Sequence, residues 1–152
     1  TPPLVYAVAN KRIPITNAVF LAALAFGWLD YDIIYLCPEG GYIGNPCIAT
    51  DVAYLRFGPA DACQLQVAVA PAEVLTSGGM AIKPAFVAPQ KMFLGQTHNT
   101  LGYAVPSQEW NGSPIGRTYE ETMSPTPSFG DTVVNAIISL AADDDCAVMM
   151  SP

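Results

Sequence analysis

Charge is what this chain has least of. Six Lys and Arg and 13 Asp and Glu make up 12% of its 152 residues, while 51% are hydrophobic. An ordinary soluble domain carries about 25% charged residues. A surface so poor in ions is either clothed in hydroxyls, amides and sugars or covered by other copies of the chain. Basic residues are scarcest, and the net charge is −7 with a pI near 4.3. Nucleic-acid binding needs a clustered basic stripe that releases counterions; only Lys11 and Arg12 are adjacent here, so a nucleic-acid partner is excluded. There is one histidine, His98, and no C-x-x-C pair, which removes the usual zinc patterns. No G-x-S-x-G, H-E-x-x-H, P-loop or Rossmann glycine pattern occurs, so no enzyme activity and no cofactor is indicated. No repeat recurs at solenoid or propeller spacing. The longest apolar run, residues 17–29, is too short for a bilayer span of about 20 residues.

What is present reads as one domain by length. Fourteen prolines and 12 glycines punctuate short apolar runs at 4–9, 33–36, 52–57, 64–70, 85–87, 91–94, 101–105, 132–140 and 147–150. In the clearest run Leu65, Val67 and Val69 face one way and Gln64 and Gln66 the other, the alternation of a half-buried strand. The expected fold is all-β, an antiparallel β-sandwich or jelly roll, with an N-terminal extension strand over 1–12 and a single sandwich domain over 13–152. One short helix is an option near 17–29, capped by Thr16 or Asn17. Residues 132–142 read as a strand because of their β-branched side chains.

The four cysteines point to two disulfides, with Cys37–Cys47 and Cys63–Cys146 the preferred pairing because 38–46 is a turn-forming Gly/Pro loop. That implies an oxidising place, extracellular or cell-surface. The start at Thr1-Pro2-Pro3 reads as a processed N-terminus. Glycan candidates are Asn111, in Asn111-Gly112-Ser113, and Thr122, Ser124 and Thr126 in a Ser/Thr/Pro segment expected on the surface. His98 sits in a polar turn. Asp30 and Asp32 read as guards of a strand edge, Asp143-Asp144-Asp145 as a solvated turn without calcium-loop spacing.

The N-terminus carries the functional reading. Behind a stiff Pro2-Pro3 leader, Leu4, Val5, Tyr6, Ala7, Val8 and Ala9 form a strand able to add to a neighbouring copy's sheet. Head-to-tail exchange of that kind does not close and builds a fibre. The arrangement is similar in kind to donor-strand-assembled pilins in its low charge, strands and disulfides. The aromatic-ended C-terminal strand of many such pilins is absent, and no family is assigned. The expected function is a non-enzymatic structural subunit of an extracellular filament whose partners are copies of itself. The alternatives are a secreted carbohydrate-binding module, with Trp28, Tyr42, Trp110 and Tyr119 as sugar platforms, and a virion jelly-roll protein.

Overall fold

The structure, a computed structural model, describes residues 3–35, 37, 46–112 and 117–146. In chain order its elements are β1 (Leu4–Pro14), α1 (Ala18–Ala25), β2 (Ile33–Ile34), β3 (Cys47–Phe57), β4 (Leu65–Val69), β5 (Glu73–Val74), α2 (Thr76–Ile82), β6 (Gln90–Leu94), β7 (Tyr103–Ala104), α3 (Tyr119–Thr122) and α4 (Phe129–Ala142), with short 3-10 turns between them. The main sheet runs β1-β3-β4-β6, with β2 beside the start of β3. β1 is antiparallel to β3 over eleven positions, from Leu4↔Phe57 to Pro14↔Cys47. β4 is antiparallel to β3 and parallel to β6, and β5 pairs in parallel with β7.

This corrects the expected all-β sandwich or jelly roll: the fold is mixed α/β, with four helices and a sheet containing parallel pairs. Two physical reasons account for the difference. Alternation in 65–69 marks a two-faced strand but does not say which way its neighbour runs. The stretch between Val69 and Gln90 holds β5 and α2, a crossover of the length a parallel pair requires. Residues 132–142 are the second correction, lying within α4 rather than a strand. The buried residues Phe129, Gly130, Val133, Val134, Ile137 and Ala141 recur at helical spacing, and that stripe outweighs the β-branched preference. Residues 85–87 lie in a 3-10 turn and coil. The expected strand at 147–150 lies outside the described residues.

The boundary expected between residues 12 and 13 falls inside β1, which continues to Pro14 in the same sheet. The sheet's inner face packs on α4 and α2. Ile48, Thr50, Val52, Tyr54 and Arg56 of β3 point inward, each buried, and Ile13, Ala68, Phe86, Leu101, Phe129, Val133 and Ile137 complete the core. Helix α4 approaches its neighbours closely because residue 130 is glycine: a Cβ there would lie 2.4 Å from the Val105 carbonyl oxygen.

At one end of the core lies a buried polar network. The Nε of Arg56 lies 3.0 Å and 2.8 Å from the two carboxylate oxygens of Asp144. Tyr54 donates its hydroxyl to Asp144 at 2.8 Å and accepts from Gln66 Nε2 at 2.6 Å. The Gln66 carbonyl oxygen accepts from the backbone N–H groups of Val87 and Ala88, and Arg56 also donates to the Gly58 carbonyl. Asp144 is therefore an anchor, which corrects the expectation of a solvated acidic turn at 143–145; Asp143 and Asp145 are exposed. Beside it Cys63 joins Cys146, and elsewhere Cys37 joins Cys47. Closing 83 residues, against 10 for the other bridge, constrains the unfolded chain by about 4–5 kcal/mol, against about 3.

Removing one partner of a buried ion pair leaves the other charge uncompensated. Asp144→Ala is expected to cost about 3–5 kcal/mol, read as a lower urea midpoint in equilibrium unfolding. The Tyr54 hydroxyl is held well above its usual value of 10.0, first by burial and then by Asp144, against an opposing hydrogen bond from Gln66. A phenol raised on folding contributes stability that is complete below its unfolded value and lost as pH climbs beyond it. Urea midpoints measured from pH 8 to 12 should fall above about pH 10, and Tyr54→Phe should flatten that slope.

Candidate functional site

β4 and β6 run parallel, and ligands of open α/β sheets bind outside the carboxyl ends of such strands. After β6, residues 95–102 fold back along the segment that follows β4. Thr97 donates both its N–H (3.1 Å) and its hydroxyl (2.7 Å) to the Ala70 carbonyl. Gln96 N–H reaches Ala72 O, Leu101 N–H reaches Pro71 O at 2.6 Å, and Glu73 N–H reaches Gly102 O. This zipper sets Glu73 opposite Tyr103 in the β5–β7 pair.

The loop is held in an uncommon backbone conformation. Gln96, His98 and Thr100 have φ of 55°, 57° and 54°, and Gly102 has 78°. Three non-glycine residues in the left-handed region cost roughly 1–3 kcal/mol each and persist where surrounding bonds over-determine them, commonly at functional sites. Here those bonds include Thr50 Oγ1 to Asn99 Oδ1 at 2.7 Å and Tyr31 OH to Thr100 O at 3.2 Å. Gly102 has no alternative, since a Cβ would fall 2.1 Å from the Met123 carbonyl oxygen. The strained His98 lies 3.7 Å from Asp51 through Nε2, at the rim of a cavity of about 200 Å³ lined also by Tyr6, Ala53, Leu55, Val69 and Thr97.

Glu73, Tyr103, Tyr119 and Glu120 form the site's titratable cluster. Glu73 and Tyr103 are register partners in the β5–β7 pair, and the Tyr103 and Tyr119 rings meet edge to face at 5.7 Å. The Tyr103 phenol is pushed above its usual value, first by partial burial, then by the Glu73 carboxylate, Tyr119 and the Glu120 carboxylate. It therefore stays protonated at neutral pH and remains a hydrogen-bond donor beside a carboxylate. α3 is fixed by a capping box, with Thr118 accepting from the Glu121 N–H and Glu121 accepting from the Thr118 N–H. Among the described residues no group of three or more His, Cys, Asp or Glu is placed to hold a metal.

The residues singled out in the sequence are scattered. Leu4, Val5, Tyr6, Ala7, Val8 and Ala9 pair with residues 52–57 of their own sheet. Asn111 is exposed; Thr122 is half-buried and donates its hydroxyl to Thr118 O. Ser124 and Thr126 are 0% and 1% exposed, so the folded chain does not present them for glycosylation, and the expected surface loop is interior there. Trp28 stacks on Phe26, Trp110 lies under Arg117 and Tyr119 packs on Tyr103, three separate contacts rather than one sugar platform. Tyr42 lies outside the described residues. Glu73 and Tyr103 carry no motif; the only local signal is the turn-rich 95–100 segment after an apolar run.

No protein-family model matches the chain, and no curated protein does. Among solved structures the fold is similar to the neutral ceramidase of Pseudomonas aeruginosa, with a TM-score of 0.53 and 16% identity. The match covers 97% of this chain and 28% of that one, so this chain spans under a third of its neighbour's length. At 16% identity the likeness concerns the fold alone. No helix among the described residues is long and apolar enough to cross a membrane. The two disulfides are compatible with an extracellular protein.

Proposed function

We propose that this chain forms part of a lipid-amide hydrolase acting on a ceramide-type substrate. The observation that carries the reading is the likeness of fold, over 97% of the chain, to a neutral ceramidase. The acid–phenol pair, at the start of the parallel β5–β7 strands that follow β4 and β6, agrees with it. Amide hydrolysis needs a base to take a proton from the attacking water and a donor to hold the developing oxyanion. Glu73 suits the first role and the protonated Tyr103 the second. The chain corresponds to 28% of the neighbour, and on this reading the remaining catalytic groups belong to polypeptide beyond these residues.

The polypeptide carrying this segment should release fatty acid from N-acylsphingosine in detergent micelles. Glu73→Gln should lower kcat by about 10²–10⁴-fold and Tyr103→Phe by about 10²–10³-fold, with circular dichroism unchanged. If no fatty acid is released from any acyl length, the reading fails.

A second reading, an extracellular filament of copies joined through β1, has its own supporting observation. The sheet face turned away from α4 carries an apolar patch that crosses all four strands, flanked by Asn10, Arg12 and Asp51. Leu4, Tyr6 and Val8 of β1, Phe57 of β3, and Met92 and Leu94 of β6 are 37–64% exposed there, around the nearly buried Ala53 and Val67. β1 is an edge strand, able to accept another chain. Sedimentation at rising concentration should show self-association that Tyr6→Lys with Met92→Lys abolishes. A monomer persisting at about 100 μM, a concentration at which even weak micromolar contacts are populated, would remove this reading.

A further inference from the structure

Helix α1 is apolar around its whole circumference, yet only one side of it, Phe20 with Leu21 and Leu24, packs on the core. Residues 13–29 contain no charge, and within α1 only Phe20 is buried. A helix with no polar face belongs in a core or in lipid. Its first turn is firmly held: the Asn17 side-chain oxygen caps Val19 N–H at 2.9 Å, while its amide donates to the carbonyls of Glu121, Thr122 and Ser124. The far end projects, with Phe26 69% and Trp28 75% exposed, and Val19 in the first turn is 45% exposed.

That end is built rather than frayed. Gly27 N–H bonds to Leu24 O at 3.0 Å and Trp28 N–H to Ala23 O at 2.9 Å, with Gly27 at φ 70°, the two-bond helix stop that glycine permits. It turns the rings of Phe26 and Trp28 onto one another, stacked with centroids 5.0 Å apart.

We propose that this tip docks the protein on the surface of a net-neutral lipid bilayer, with Phe26 and Trp28 seated at the headgroup–acyl boundary. The hydrolase reading supplies the reason for a lipid surface, and the inference rests on it to that extent. Area chooses lipid over a protein partner or a second copy. An eight-residue helix is about 12 Å long and about 10 Å across, a shadow of roughly 100 Å², whereas stable protein association uses about 800 Å² per partner. Two aromatic side chains are enough to seat a tip in a bilayer interface, and the tryptophan N–H suits the wet side of it. Charge chooses the lipid class: no basic residue flanks the tip, Asp30 and Asp32 follow it, and the chain carries −7, so anionic headgroups repel it.

The sequence holds two tryptophans, Trp28 and Trp110, so Trp110→Phe leaves Trp28 as the sole reporter. Phosphatidylcholine vesicles should shift its emission to the blue, and brominated acyl chains should quench it. Phe26→Ser should lower the vesicle partition constant about ten-fold or more. Phosphatidylserine should weaken binding, and hydrolysis of micellar ceramide by the Phe26→Ser protein should be unchanged. Emission indifferent to vesicles, partition unaltered by Phe26→Ser, or a blue shift produced by protein concentration alone would each overturn the inference. Vesicle docking without ceramide hydrolysis would sink the hydrolase reading and leave the docking surface. Hydrolysis in micelles without docking would do the reverse.

Discussion

The ion pair between Arg56 and Asp144 is the interaction on which the architecture turns. It joins the end of β3 to the residues just beyond α4, next to the disulfide that ties Cys63 to Cys146. Through Tyr54 and Gln66 it extends to the backbone at Val87 and Ala88, immediately ahead of β6. Three parts of the chain distant in sequence are thereby held at one point: the antiparallel centre of the sheet, its covering helix and the entry to its parallel edge. A buried pair of this kind adds little stability over an apolar substitute, but it penalises every arrangement that leaves a member unpaired. Gln66 matters for the same reason, because its amide satisfies two backbone donors that a strand edge would otherwise leave orphaned.

With β6 set parallel to β4, the return loop has one place to go. Residues 95–102 close over the end of β4, and the bonds from Thr97, Leu101 and Glu73 hold three residues at positive φ. The consequence is local and chemical: Glu73 and the phenol of Tyr103 become register partners at the start of the β5–β7 pair. The strained loop and the acid–phenol pair thus share one cause, the crossover through α2.

Low charge has a second consequence at the surface. With 12% charged residues the chain does not have enough ions to cover both the outer sheet face and α1. Both remain apolar, and they differ in shape. The sheet face spans four strands, suited to another layer of polypeptide. The α1 tip is narrow and convex with stacked rings at its end, which suits an interface that deforms around it. The acidic balance keeps the rest of the surface repulsive towards anions and towards other copies.

Much of this was legible in the residues and much was not. The cysteine set and the Gly/Pro loop between Cys37 and Cys47 announced the disulfides, period-two alternation marked the strands at 4–9, 52–57 and 64–70, and the 17–29 run was legible as apolar but left helix and strand open. The charge deficit announced exposed apolar surface. These are local or compositional properties, set by covalent geometry and by transfer of side chains from water. Strand direction, the helical stripe of α4 against its β-branched residues, the burial of Asp144, Ser124 and Thr126, and the meeting of Glu73 with Tyr103 were settled only by tertiary packing. Each depends on groups far apart in the chain, and an alternating pattern states that a strand has two faces without stating what lies beside it.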